Sequence, residues 1–151
     1  MEANPRRVND RDMSGITPLY IPVHHKKSLP QILWLLDKNG ADVNTTTSIG
    51  WSALHLASSF DILDVLLDRG ADPTLQSQGW SPLMQQVHSG NFNLVARLLQ
   101  EPRVRAAINC RSGSGSTALH YACGIEDELS NLLIIRLLLR VGADSGITNK
   151  D

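Results

Sequence analysis

The sequence predicts an all-α fold, an α-solenoid of stacked helix-turn-helix repeats with β-hairpin-like finger loops. Two recurring phrases carry this prediction. The first opens each repeat and occurs as Thr17-Pro18-Leu19-Tyr20, Ser52-Ala53-Leu54-His55, Ser81-Pro82-Leu83-Met84 and Thr117-Ala118-Leu119-His120. The second, Gly-Ala-Asp, follows leucine-rich stretches at residues 40–42, 70–72 and 142–144. The openings at 17, 52, 81 and 117 give a mean period of about 33 residues, which is typical of repeat arrays.

Each helix of a repeat follows from its residue types. Thr17 or Ser81 at the opening can cap a first helix that begins with proline, because the side-chain oxygen satisfies a free backbone N–H. A second helix is expected after the cap candidates Ser28, Asp61 and Asn91. Its apolar face contains the leucine pairs 35–36, 66–67 and 98–99. We expect Trp34, inside the second helix of the first repeat, to lie in the core.

Glycine marks the end of each repeat. Gly40, Gly70 and Gly142 suit the left-handed conformation that ends a helix, and Gly50, Gly79 and Gly115 suit the tips of the finger loops. We therefore expect a single domain over residues 1–151, with repeats at about 14–44, 49–75, 78–109 and 114–145 and a partial fifth at 146–151. The interrupted fifth repeat indicates a fragment of a longer array.

Composition excludes several classes of function. With 42% hydrophobic and 19% charged residues, the chain has the composition of a folded domain. A formal net charge of −1 gives no overall field for nucleic acid or acidic lipid. Apolar runs such as Leu132–Ile135 are far shorter than the roughly 20 residues that cross a bilayer, so no membrane insertion is expected. The first residues carry no secretory signal, and only two cysteines occur, so we expect an intracellular location, cytoplasmic or nuclear.

The repeated phrases resemble those of the ankyrin repeat, from about Val8 to Asp151. The family's Thr-Pro-Leu-His phrase is best kept at residues 52–55 and 117–120, whereas Tyr20 and Met84 replace its histidine and should loosen the local hydrogen bonds. The resemblance implies that this histidine ties the helix-opening Ser or Thr to the adjoining finger. The residues that would serve the repeat in this structural way are Thr17, Ser52, His55, Ser81, Thr117 and His120. The fourth repeat is longer than the family pattern at residues 126–128.

The resemblance also implies a candidate modification. Leu36, Asp42, Val43 and Asn44 match the pattern that asparaginyl hydroxylases recognise in ankyrin fingers, so Asn44 would be the hydroxylated residue. Ordinary turn geometry is the alternative explanation, because asparagine is favoured in turns.

We do not expect an enzyme, a cofactor or a metal site. Catalysis needs a nucleophile, a base and an orienting group in one pocket, and the repeats account for the serines and histidines without one. Cys110, His120 and Cys123 lack a Cys-x-x-Cys pair and a fourth ligand for zinc. Arg103, Arg105 and Arg111 form too small a basic group to predict nucleic-acid binding, although they could rim a site for an acidic protein segment.

The function that the resemblance implies is non-catalytic protein–protein interaction, as an adaptor or scaffold, on the concave face of finger tips and first helices. The alternative is a regulatory ankyrin segment of a larger enzyme or channel. Trp51 and Trp80 stand one residue before the opening serine, where Ile16 stands in the first repeat, and equivalent positions of stacked repeats lie in rows. These residues are expected to form an apolar strip, unless each indole only shields a neighbouring loop. The expected partner-binding residues are Ile16, Trp51, Trp80, Pro82, Gln85, His88 and Arg111.

The last helix offers a second candidate surface. From Leu132 to Leu139 only Arg136 interrupts the apolar residues, whereas the helix that ends a repeat array needs a polar outer face. We therefore expect further repeats, a second copy or a partner to pack there.

Overall fold

Short helices joined by turns and finger loops form the part of the chain that the structure describes, residues 7–24 and 29–149 without the side chain of Glu128. The structure is a computed structural model. Its helices are α1 (Tyr20–His24), α2 (Leu29–Leu33), α3 (Ala53–Leu56), α4 (Phe60–Asp68), α5 (Pro82–His88), α6 (Phe92–Leu98), α7 (Pro102–Ala106), α8 (Ala118–Cys123) and α9 (Glu128–Arg140), with a π-helix at Trp34–Lys38. Over these described ranges, β-structure is limited to isolated antiparallel bridges, Thr46 with Ser52 and Ser77 with Trp80. The all-α prediction is confirmed.

The chain divides into two compact units, and each unit stacks two helix pairs. In the first unit, which ends at Asp72, α1 packs against α3 and α2 against α4. In the second unit, which begins at Pro73, α5 packs against α8 and α6 against α9. The fully buried side chains are almost all aliphatic, in the first unit Leu19, Ile32, Leu54, Leu63 and Leu66, and in the second Met84, Val87, Leu98, Ile134 and Leu138. Burial of one such side chain stabilises the fold by roughly 1.5–3 kcal/mol.

Helix caps agree with the sequence prediction in part. Ser81 caps α5, because its Oγ accepts from the backbone N–H of Met84 at 3.2 Å, and Pro82 is the first residue of the helix as expected. The prediction of Asp61 as the cap of α4 is wrong. Ser59 caps that helix, and Asp61 lies in the first turn, where its charge complements the helix dipole. The cap candidate Ser28, like Lys150 and Asp151 of the partial fifth repeat, lies outside the described residues.

The first repeat departs furthest from the expected pattern. Helix α1 begins at Tyr20 and not at Pro18, and the Thr17 hydroxyl lies 3.3 Å from that of Thr45 instead of capping a helix. The prediction that Trp34 lies in the core is also wrong, since 51% of this residue is exposed. Trp34 is the first residue of the π-helix, which ends at Lys38, two residues before Gly40.

Finger loops depend on glycine where two backbones approach closely. Gly79 has a φ of +80°, and the Gly113 N–H donates to the adjacent Gln78 carbonyl at 2.9 Å. A Cβ atom on Gly79 would lie 2.7 Å from the Arg111 carbonyl oxygen and 2.9 Å from the Ser112 Cα. Both the backbone conformation and the close contact therefore require glycine at this position.

We predict that Gly79→Ala destabilises the second unit by about 2–4 kcal/mol. The left-handed conformation costs a residue with a Cβ about 1–2 kcal/mol, and the contact with Arg111 and Ser112 adds to that cost. The matched control is Gly90→Ala in the same unit, where φ is +68° and the nearest atom lies at 3.8 Å. Urea denaturation followed by circular dichroism gives both values. Equal losses in the two variants would contradict the importance of the contact between fingers.

Candidate functional site

The residue before each repeat opening lies at the base of a finger loop. There its carbonyl oxygen accepts a hydrogen bond from a backbone N–H at the other end of the loop, and this bond closes the finger. The donor and acceptor pairs are Asp12 to Ile16 (3.0 Å), Thr47 to Trp51, Ser77 to Trp80 and Ser112 to Ser116 (2.9 Å each). Ile16, Trp51 and Trp80 are half-buried. These three side chains therefore leave the backbone at the same point of their repeats and keep part of their surface accessible.

Trp80 is the centre of an aromatic cluster in the second unit, formed with His88 and Tyr121. Its ring lies 4.5 Å from that of Tyr121, at an interplanar angle of 63°, and 5.8 Å from that of His88. The Trp80 Nε1–H donates to Gln85 Oε1 at 3.0 Å, which fixes the indole on α5. The structure thus brings together three residues that the sequence predicted, Trp80, Gln85 and His88.

Tyr121 is the member of the aromatic cluster that sequence reasoning missed. Its hydroxyl lies 2.8 Å from Ser112 Oγ and 3.3 Å from Ser114 Oγ, so the ring is fastened to the finger loop beside it. The available signal was its place in the repeat, because Tyr121 follows the opening phrase at the position that Gln85 has in the preceding repeat.

The other predicted contact residues differ in their accessibility. In the first unit, Trp51 stacks on His55, with 5.6 Å between the rings and 27° between their planes. In the second unit, Arg111 is exposed on its finger. Pro82 is buried, so the prediction that it anchors a partner at the surface is wrong. As the first residue of α5, it packs inside the unit because the helix presents its opening turn to the core.

The histidines of the repeat phrase form hydrogen bonds with the residues that open the helices. His55 Nδ1 lies 2.9 Å from the Ser52 hydroxyl and accepts from the Ser52 N–H at 3.2 Å. His120 Nδ1 has the same contacts with Thr117, at the same two distances. Because a backbone N–H can only donate, Nδ1 is the acceptor, and the proton of each neutral ring is on Nε2. These histidines serve the structure of the repeat.

Three asparagines form a recurring link between repeats, which we call the asparagine latch. In each latch, the asparagine Nδ2 donates a hydrogen bond to the glycine carbonyl of the next Gly-Ala-Asp phrase. The asparagine Oδ1 accepts a hydrogen bond from the aspartate N–H of the same phrase. The latches are Asn9 with Gly40 (3.2 Å) and Asp42 (2.8 Å), Asn44 with Gly70 (3.0 Å) and Asp72 (2.7 Å), and Asn109 with Gly142 (3.5 Å) and Asp144 (2.9 Å). The latch explains Asn44 in structural terms, and its hydroxylation stays a prediction.

Thiol and metal chemistry finds little support. Over the described residues, no group of three or more His, Cys, Asp or Glu side chains could hold a metal ion. Cys110 and Cys123 are free thiols, and burial raises the pKa of Cys110, which keeps that thiol protonated at neutral pH. None of the helices in the described part of the chain has the length and apolar character that a membrane crossing requires.

Helix α9 presents leucines on its outer surface as well as inside the unit. Ile134 and Leu138 are fully buried, whereas Leu129 is 68% exposed, Leu132 59% and Leu133 39%. Spacings of three and four residues place these three exposed leucines on one side of the helix.

Stacked pairs of short helices, finger loops and a glycine after the second helix define a helical repeat protein. A family model described as ankyrin repeats, in three copies, matches residues 54–149, which is well over half of the chain. The chain therefore belongs to the ankyrin repeat family. Ankyrin repeats are protein–protein interaction modules.

Several curated proteins are similar to this chain along most of its length. The B-cell lymphoma 3 protein homolog of Mus musculus is 32% identical over 145 residues, which cover 91% of this chain and 31% of that protein. NF-kappa-B inhibitor zeta of Homo sapiens is 25% identical over 181 residues, covering 95% of this chain and 25% of the relative. Alpha-latrotoxin-Lg1a of Latrodectus geometricus is 29% identical over 116 residues, which cover 74% of this chain and 8% of that protein. The chain spans less than a third of the length of these relatives.

We predict that Asn44→Ala destabilises the first unit by about 1–3 kcal/mol. The substitution removes both hydrogen bonds of the latch and leaves the Asp72 N–H and the Gly70 carbonyl without their partner. Asn93→Ala, at an exposed position of α6, is the control and should cost little, because alanine is the better helix former. Thermal and urea unfolding measure the difference, and equal stability of the two variants would show that the latch contributes nothing.

Proposed function

We propose that this chain binds a segment of another protein, without catalysis, on the surface formed by its finger bases and first helices. The aromatic cluster of Trp80, His88 and Tyr121 is the observation that carries the proposal. Large aromatic side chains that are held in place and half-exposed are typical of the residues that dominate binding energy at interfaces. Because Gln85 and Ser112 already fix the cluster, little side-chain entropy would be lost when a partner binds.

A corresponding surface is proposed on the first unit, formed by Ile16 and Trp51. Both residues are half-buried and stand at the finger base, as Trp80 does in its own repeat. Within the first unit, stacking of neighbouring repeats brings the equivalent positions Ile16 and Trp51 into a row, which supports an apolar strip there. In the second unit, Gln85, His88 and Arg111 would add polar contacts around Trp80.

The biological role of the binding has two candidates, an adaptor or scaffold and a regulatory segment of a larger enzyme or channel. The length of the natural gene product distinguishes them, since this chain spans less than a third of its relatives. One relative is named as an inhibitor of NF-kappa-B, which makes NF-kappa-B the first partner to test. An intracellular location, cytoplasmic or nuclear, belongs to the same proposal and accords with the two free thiols.

The test of the strip is the double variant Trp51→Ala with Trp80→Ala. We expect it to lose the main partner in a pull-down, with affinity lower by about tenfold or more, because truncation of a hot-spot residue typically costs at least about 2 kcal/mol. Phe60→Ala is the matched control, since that aromatic ring is 49% exposed on α4, the second helix of its repeat. Circular dichroism checks that the helices persist in both variants. Unchanged partner recovery with the double variant would refute the strip.

A second proposal concerns the outer face of α9, where Leu129, Leu132 and Leu133 are exposed. We expect further repeats, a second copy or a partner to cover this face, because exposed leucines in a contiguous group favour association. Light scattering and binding of an apolar dye test the isolated chain, and Leu132→Glu with Leu133→Glu should remove any self-association or dye binding. A strictly monodisperse wild-type monomer that binds no dye would contradict the proposal.

A further inference from the structure

A cavity of about 670 Å³ opens beside the aromatic cluster, wholly within the second unit. It lies between the end of α5 and the turn that joins α8 to α9. His88 and Tyr121 of the aromatic cluster line it together with Gly124, Glu126, Asp127 and Ser130. The volume is within the range of sites that hold small ligands or inserted side chains.

The charge of the cavity is negative. Glu126 and Asp127 are exposed, and the residues that line the cavity include neither lysine nor arginine. Hydrogen bonds from Ser130, including its N–H to Asp127 Oδ2 at 2.8 Å, lower the pKa of the Asp127 carboxyl, which therefore stays ionised at neutral pH. The start of α9 contributes only about half a positive charge, so the two carboxylates outweigh it.

The same cavity has an aromatic surface, formed by Tyr121 and His88. Tyr121 is held at its hydroxyl by Ser112 and at its ring by Trp80, and the His88 ring lies 6.4 Å from it. The face of a tyrosine ring attracts a cation within about 6 Å of its centre, more strongly when water is partly excluded. A cavity lined by both carboxylates and aromatic rings favours the insertion of a positively charged side chain.

We propose that this cavity binds a lysine or arginine side chain of the partner segment. The inference rests on the proposed function, because the segment that contacts the aromatic cluster is the one whose neighbouring residue would reach the cavity. His88 and Tyr121 belong to both surfaces, so an apolar or aromatic residue on Trp80 and a basic residue in the cavity would be close together in the partner. The cavity thereby selects among apolar segments by charge.

Selection of short random peptides displayed on phage, with the full chain as bait, tests the proposal. We expect the enriched peptides to combine an apolar or aromatic residue with a nearby lysine or arginine. The double variant Glu126→Gln with Asp127→Asn should lose the preference for basic residues, while asparagine still caps α9. The matched control is Asp61→Asn with Asp68→Asn, which removes two exposed charges from the first unit. This variant should keep the preference for basic residues.

Affinity of one enriched peptide then isolates the contact. Replacing its basic residue by norleucine should weaken binding to the wild-type chain about three- to tenfold, as expected for one partly exposed charge and its ring contact. The same replacement should have no further effect on the Glu126→Gln, Asp127→Asn variant. Wild-type binding should also weaken as salt is raised.

The outcomes separate this inference from the proposed function. Enriched peptides that are acidic or uncharged, and whose binding still requires Trp80, would overturn the basic-residue proposal and leave the proposed binding surface in place. A failure to enrich any peptide, or enrichment that Trp80→Ala does not reduce, would overturn the proposed surface and this inference with it.

Discussion

Every helix in this protein depends on an apolar face that only a neighbouring helix pair can cover. Most of the helices are four to nine residues long, too short to persist alone in water. They form because residues such as Leu63 and Leu66 in the first unit, or Ile134 and Leu138 in the second, are removed from water by the adjacent pair. The fold is therefore a property of stacked repeats, and no single repeat contains enough buried surface to stand by itself.

Polar contacts complete this stacking where the helices end. The asparagine latch satisfies the carbonyl and N–H groups of the Gly-Ala-Asp turn, and backbone hydrogen bonds such as Ser48 to Ser14 join neighbouring fingers within a unit. Loops fixed in this way hold their side chains in place. Trp80 and Tyr121 can thus present defined ring faces although both lie at or beside a finger loop, where side chains are otherwise mobile.

Much of the fold could be predicted from the sequence, because many of its features have a local cause. A cap such as Ser81 and a turn glycine such as Gly79 act on their own backbone, so the residue type alone indicates them. The failures involve causes that are not local. Trp34 is exposed although it stands between leucines in its own helix, and Pro82 is buried because of what packs on α5. The latches escaped prediction because each joins residues about one repeat apart.

The candidate site lies at positions that differ from one repeat to the next. Residues of the repeat phrase are occupied with the structure of the repeat, as His120 is with Thr117, and leave little chemistry to distinguish one partner from another. Recognition must then come from positions that vary. Glu126 and Asp127 lie where the fourth repeat exceeds the family pattern, and this added turn brings two carboxylates to the cavity that Tyr121 also lines. A chain with almost no net charge thereby acquires a locally negative site, and local charge at short range, rather than net charge, decides which segment can bind there.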